Sequence, residues 1–226
     1  MIFNLIDFHC VPTTISARKN DKRFRLHIAH IIDSFWVRIP KRIKTERIGK
    51  LNVIAESSKT ARQYFWEIDG IASAGLRVPD VAKIFKADQS EAVRRVKKYL
   101  RAGIRIAAAH DKLFARHLEL WNELVATADQ EYDHYFPNIA RSHSSRKWRC
   151  EAVWRITPAK YYYDVVIRET KSGNMVERHR IKTTECNFPY YSGIGFSKLL
   201  WKGTTVVGLT KEGKIAFRIK TNLPSD

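Results

Sequence analysis

Apolar and polar positions alternate most cleanly over residues 147–156. Trp148, Cys150, Ala152, Trp154 and Ile156 fall on one side, with Lys147, Arg149, Glu151, Val153 and Arg155 on the other. That period of two predicts a strand with one buried and one mostly charged face. Residues 161–170 and 175–183 form a second pair of such runs, joined by Lys171-Ser172-Gly173-Asn174. Residues 204–210 and 215–220 repeat the device around Lys211-Glu212-Gly213-Lys214. Strands joined by short Gly-bearing turns are hairpins, so this part of the chain is expected to be an antiparallel sheet.

The first sixty residues also read as strands, at 2–10, 24–32, 34–39 and 48–55, with a polar turn at Arg18-Lys19-Asn20-Asp21. The pattern then changes. Tyr64, Phe65, Ile68, Ile71 and Ala72 approach a spacing of 3.6. A helix is therefore expected from Thr60 to about Ala74, capped by Ser57 or Ser58 and ended by Gly75. Pro79 suits the first turn of the next helix. Phe114, His117, Leu118, Trp121, Leu124, Val125 and Ala128 recur at three and four, an amphipathic helix whose pattern ends near Pro137. Residues 138–146 read as a linker. The fold class expected is α+β: a β-rich N-terminal segment over 1–58, a central helical block over 59–137, and a C-terminal antiparallel β-sheet over 147–226. The last segment either stands alone or joins 1–58 in one domain.

Composition adds a charge argument. The chain has 226 residues, enough for one large domain or two small ones, and 44% of them are apolar, as in a folded protein. Lys and Arg number 41 against 23 Asp and Glu, a net charge of +18. Such a surface attracts polyanions. The excess is uneven: 12 basic against 5 acidic residues over 1–60, 12 against 11 over 61–140, and 17 against 7 over 141–226. Cys10, Cys150 and Cys186 are far apart, without the spacing of a zinc ribbon or a disulfide framework, which points to reduced thiols and a cytoplasmic location. No run approaches the length of a membrane span, and MIFNLIDFHC reads as a strand and not as a signal peptide.

The most suggestive spacing lies in RVPDVAKIFKADQSEAVRRVKKYLRAG, residues 77–103. A short helix, a polar turn at Asp88-Gln89-Ser90 and a second helix fit it. Ala82 is the small residue expected at the crossing, and Ala92, Val96 and Leu100 face back from the second helix. The outer side then carries Arg94, Arg95, Lys97, Lys98 and Arg101. This stretch resembles the helix-turn-helix of bacterial winged-helix regulators. The resemblance implies that Gln89, Ser90, Arg94 and Arg95 approach base edges in a major groove, while Lys97, Lys98 and Arg101 meet phosphates. Two departures stand beside it. Lys86 occupies the turn position where that family carries glycine, and residues 104–109 run towards another helix where the two strands of a wing belong.

Other constellations give less. Glu131 and His134 stand three apart on an expected helix, but a metal site needs further inward carboxylates. His9 beside Cys10, and His27 with His30, lack a second pair of zinc ligands. The chain has no Gly-x-Ser-x-Gly, phosphate-binding glycine loop or His-Glu-x-x-His. No catalytic residue, metal or cofactor is therefore assigned. Tyr161, Tyr162, Tyr163, Tyr190, Tyr191, Phe196 and Trp201 mingle with Arg168, Arg178, Arg180, Lys182 and Lys198. That mixture serves base stacking, protein contacts or a core. The expectation is a non-catalytic protein that binds nucleic acid, DNA or RNA. The competing one is a protein-binding module, of the immunity or antitoxin kind, that neutralises an acidic partner.

Overall fold

The computed structural model describes residues 1–11, 15–57, 62–79, 81–185 and 195–223. The fold is α+β, as expected, and falls into two compact units, Met1–Gln130 and Glu131–Asp226. Of the sequence expectations, the cap at Ser58, the thiol Cys186 and the aromatics Tyr190 and Tyr191 lie outside the described residues.

The first unit is a four-stranded sheet with helices against one face. Its strands are β1 (Leu5–Val11), β2 (Lys50–Glu56), β3 (Tyr64–Ile68) and β4 (Ile71–Arg77), in the order β1-β2-β4-β3. β1, β2 and β4 run parallel, and β3 is antiparallel to β4. The helices are α1 (Ile15–Arg38), α2 (Val81–Lys86), α3 (Gln89–His110), α4 (Lys112–Ala115) and α5 (Leu118–Thr127). Ile6, Phe8, Leu51, Val53, Ala72 and Ala74 are buried on the helix-covered face. Phe8 lies 6.3 Å from the rings of both Phe24 and Tyr99. Gly103 of α3 sits against Val53 so closely that a Cβ there would stand 2.5 Å from Val53 Cγ2.

Two expectations are corrected here. Residues 24–32 and 34–39 are not strands but most of α1. Phe24, Ile28, Ile31, Ile32 and Phe35, all buried, are spaced four, three, one and three, which is helical. Their β-branched isoleucines imitate a strand because burial outweighs the small helix penalty of branching. The helix expected over 60–74 is not found among its described residues, 62–74, which hold β3 and most of β4, joined by Asp69-Gly70, whose φ values are 51° and 81°. A two-residue loop with both φ positive matches the twist of a hairpin, and Asp-Gly is its strongest local signal. β4 is central and buried on both faces, so its small residues show no alternation to betray it.

Gly75 has a spatial reason as well. A Cβ added there would meet Tyr64 Cε1 at 2.1 Å, and the Tyr64 hydroxyl donates to Glu56 Oε1 at 2.7 Å. Gly75→Ala is expected to displace the ring, break that hydrogen bond and lower stability by about 2 kcal/mol in a urea titration.

The expected helix from Phe114 to near Pro137 is shorter and broken. α4 and α5 hold its first part, and residues 132–142 form a strand. The C-terminal carbonyls of α5 meet two cations. Arg38 donates to Thr127 O at 3.1 Å, and Lys97 donates to Ala126 O at 2.8 Å. Beside them lies His30, 1% exposed, whose ring nitrogens have no hydrogen-bond partner among the described residues. Burial first, with the charges of His27 and Lys97 against an opposing pull from Asp129, brings its pKa from 6.5 down to about 4. Between those values the unfolded chain takes up a proton that folded His30 refuses, so stability falls as pH drops through that window. Thermal melts in buffers from pH 7 to pH 4 are expected to show this fall, and His30→Leu to flatten it.

The second unit is a pair of antiparallel sheets. One has β5 (Tyr132–Ser142), β6 (Trp148–Ile156), β7 (Lys160–Glu169) and β8 (Met175–Glu185), in that order. The other has the order β11-β10-β9, from β9 (Lys198–Lys202), β10 (Thr205–Leu209) and β11 (Ile215–Lys220). Cys150, Ala152, Val165 and Ile167 of the first sheet meet Phe196, Leu199, Val206, Ile219 and Leu223 in one core. The other face carries an ion network. Asp164, 1% exposed, accepts from Arg178 Nε at 2.6 Å and also from Arg180, and Arg178 continues to Asp133 at 2.7 Å.

Candidate nucleic-acid interface

The helix-turn-helix order is present: α2, a two-residue turn, and α3. Asp88 caps α3, its Oδ1 accepting the Glu91 N–H at 2.9 Å, so the expected polar turn is shorter and its Gln89 and Ser90 lie inside the helix. Ala92, Val96 and Leu100 are fully buried, as their spacing predicts. Ala82 differs: it is exposed, and Val81, Ile84 and Phe85 make the buried side of α2 instead. α3 also runs on without a break through residues 104–109 to His110. It is thus 22 residues long, roughly 33 Å.

The cationic side chains divide into two groups. Arg94 and Arg95 share one acid: Arg94 Nε lies 2.6 Å from Glu91 Oε2, and Arg95 Nε 2.5 Å from Glu91 Oε1. Hydrogen bonds from Arg94 and then Arg95 hold the Glu91 carboxyl at about 2, so it stays ionised at any ordinary pH. Lys97 is 2.6 Å from Asp129 and is mostly covered. Burial raises the Asp129 carboxyl pKa, but the Lys97 hydrogen bond, a backbone hydrogen bond and the charges of Lys97 and His30 together outweigh it, and the net direction is down. Gln89 is half-buried and Ser90 exposed at the start of the helix.

Lys98 is exposed and Arg101 half-buried, and neither has an ion pair among the described residues. Arg105, which the sequence reading did not single out, is exposed and equally unpaired. Arg94, Lys98, Arg101 and Arg105 follow one another at intervals of four, three and four, so they share one side of α3 over ~16 Å. Arg105 was legible only once α3 was known to continue past Gly103.

The other candidates resolve locally. Glu131 and His134 are not on a helix. Glu131 pairs with Arg155, and the His134 ring meets Phe136 edge-on at 4.9 Å in β5. Tyr161 and Tyr163 are buried around Trp154, while Tyr162 lies beneath Arg180, 3.9 Å from ring centroid to guanidinium carbon. Burial pushes the Cys150 thiol up to about 12, which leaves it unreactive. Among the described residues no helix is long and apolar enough to cross a membrane. No family model, curated protein or solved structure matches the chain.

Proposed function

We propose that the protein binds nucleic acid without catalysis, through the outer side of α3. The observation that carries this reading is the row Arg94, Lys98, Arg101 and Arg105, three of whose members have no acid beside them among the described residues. A row of outward cations on a rigid helix is an electrostatic match for phosphates. Glu91 tempers it by occupying Arg94 and Arg95, the two residues the winged-helix resemblance brings to base edges. The reading therefore favours phosphate contact over sequence readout.

Titration of labelled duplex DNA and RNA at several salt concentrations tests it. Four phosphate contacts predict a slope of log affinity on log salt of about −3 to −4. The triple change Arg94→Glu, Lys98→Glu, Arg101→Glu is expected to weaken binding about 100-fold at low salt. Glu91→Gln frees both arginines and is expected to tighten it. Binding that ignores all of these changes removes α3 as the interface. The second reading, an acidic protein as partner, draws on the basic surplus over residues 141–226. A duplex-negative protein that captures an acidic partner supports that reading.

A further inference from the structure

The sheet of the first unit has two faces of different character. The helices take one. The other is mixed: it carries the exposed Ile68 and Ile71, the Tyr64 ring over Gly75, and between them a row of mostly polar side chains brought into line by strand pairing. Asp7 is the partner of Asn52, Asn52 of Ser73, and Ser73 of Trp66, so one residue from each of β1, β2, β4 and β3 forms a transverse row. The row spans three strand spacings, ~14 Å. On either side of it stand Lys50 and His9, which are the next residues on this face. Asp7 Oδ2 is 3.3 Å from His9 Nε2 and 3.7 Å from Lys50 Nζ, and Asp7 Oδ1 accepts the Phe8 N–H at 2.8 Å.

Two of these groups are buried and idle. Ser73 is 1% exposed, and its Oγ has no hydrogen-bond partner, nor does Asn52 Oδ1 beside it. An unpaired buried polar group costs stability, and two adjacent ones are hydrogen-bonding capacity that the fold itself does not use. Ser73 is the smallest side chain of the row and stands between Asn52 and Trp66. Trp66 is 45% exposed, an indole that a β-strand would ordinarily bury. A flat aromatic surface, then an amide and a hydroxyl, then a carboxylate flanked by an ammonium and an imidazole is a graded sequence of chemistries.

We propose that this face, over the row from Trp66 to Asp7, binds a nucleotide unit, a planar nitrogen heterocycle with its sugar. Trp66 stacks the heterocycle, Ser73 and Asn52 take its edge, Asp7 accepts from the sugar hydroxyls, and Lys50 with His9 meets the phosphate. Stacking on an exposed indole is tolerant of base identity, while the amide and hydroxyl add preference. Ser73 is covered, so contact with its hydroxyl requires its exposed cross-strand neighbour Trp66 to turn aside. The site is separate from the α3 row, because α3 lies against the opposite face of the same sheet. The shared chemistry has two sources, a free nucleotide and a single strand of nucleic acid.

The full chain is titrated with AMP, GMP, CMP and UMP and with ten-residue oligo(A) and oligo(U), followed by tryptophan fluorescence and calorimetry. Saturable binding is expected, weakened at least about tenfold by Trp66→Ala and measurably by Ser73→Ala. It should survive the triple charge reversal on α3, so failure of the duplex reading and failure of this one are distinguishable. Trp66 is exposed and the Ser73 hydroxyl unpaired, so both variants keep the fold, as circular dichroism checks. Equal affinity for monomers and oligomers assigns a free nucleotide; binding of oligomers alone assigns a strand. Absence of saturable binding, or binding indifferent to both variants, overturns the proposal. Stabilisation by Ser73→Ala with no change in any titration overturns it too.

Discussion

Asp111→Ala is expected to remove about 3–5 kcal/mol of stability, read as a shift of the urea midpoint at an unchanged slope. Asp111 is 1% exposed and joins three parts of the first unit. Its own N–H donates to Ala107 O at 3.0 Å and closes α3. Oδ1 accepts the Phe114 N–H at 2.8 Å and caps α4. Oδ2 accepts from Glu46 at 3.0 Å, Arg47 at 2.9 Å and Ile48 at 3.3 Å. Alanine leaves those backbone donors together with nothing to receive them, and each is costly to bury alone. Burial alone pushes the Asp111 carboxyl pKa up. The N–H groups of Arg47, Phe114, Glu46 and Ile48 outweigh burial, and its pKa stands below the ordinary 3.8. A carboxyl lowered by folding stabilises above its unfolded pKa and loses that contribution as pH falls through the folded value. The wild type should therefore lose this contribution below pH 3.8, a loss the alanine variant cannot show.

Asp164→Ala is expected to cost the second unit about 3 kcal/mol. The carboxylate is fully covered and serves both Arg178 and Arg180, with Val153 and Val166 buried on the same face. Attraction within such a group roughly offsets the desolvation of its members, so the intact cluster adds little by itself. Removing the acid alone is different, because two cations then stand side by side. Arg178 keeps Asp133, which limits the loss. Replacing all three by Leu, Met and Met is expected to restore most of the stability. Thermal unfolding of the single and triple variants measures both halves of the statement.

How much of this was legible depends on the range of the contacts. The second unit was read well because β6, β7 and β8 alternate and turn over a few residues. The second helix of the 77–103 stretch was legible because Ala92, Val96 and Leu100 mark one side. α1 was misread because isoleucine favours strands locally, whereas its spacing is set by the sheet it covers. β4 was misread because Ala72 and Ala74 suit a helix by propensity and Gly75 suits its end, and only a central strand between β2 and β3 explains them. The internal pairing of Arg94 and Arg95 with Glu91 was visible as i,i+3 and i,i+4 spacing. The Lys97–Asp129 pair was not, since it spans α3 and the end of α5. Nor was the row from Asp7 to Trp66, which exists only through the registers of four strands.

The contact of Gly103 with Val53 reaches further than its size suggests. The helix backbone rests there directly on the Val53 side chain, which fixes the side that α3 turns to the sheet. An uncharged glycine on the hidden side thereby aims every arginine and lysine on the outer one. A larger residue at that point would swivel the helix and redirect its charges, while leaving each of them in place along the chain.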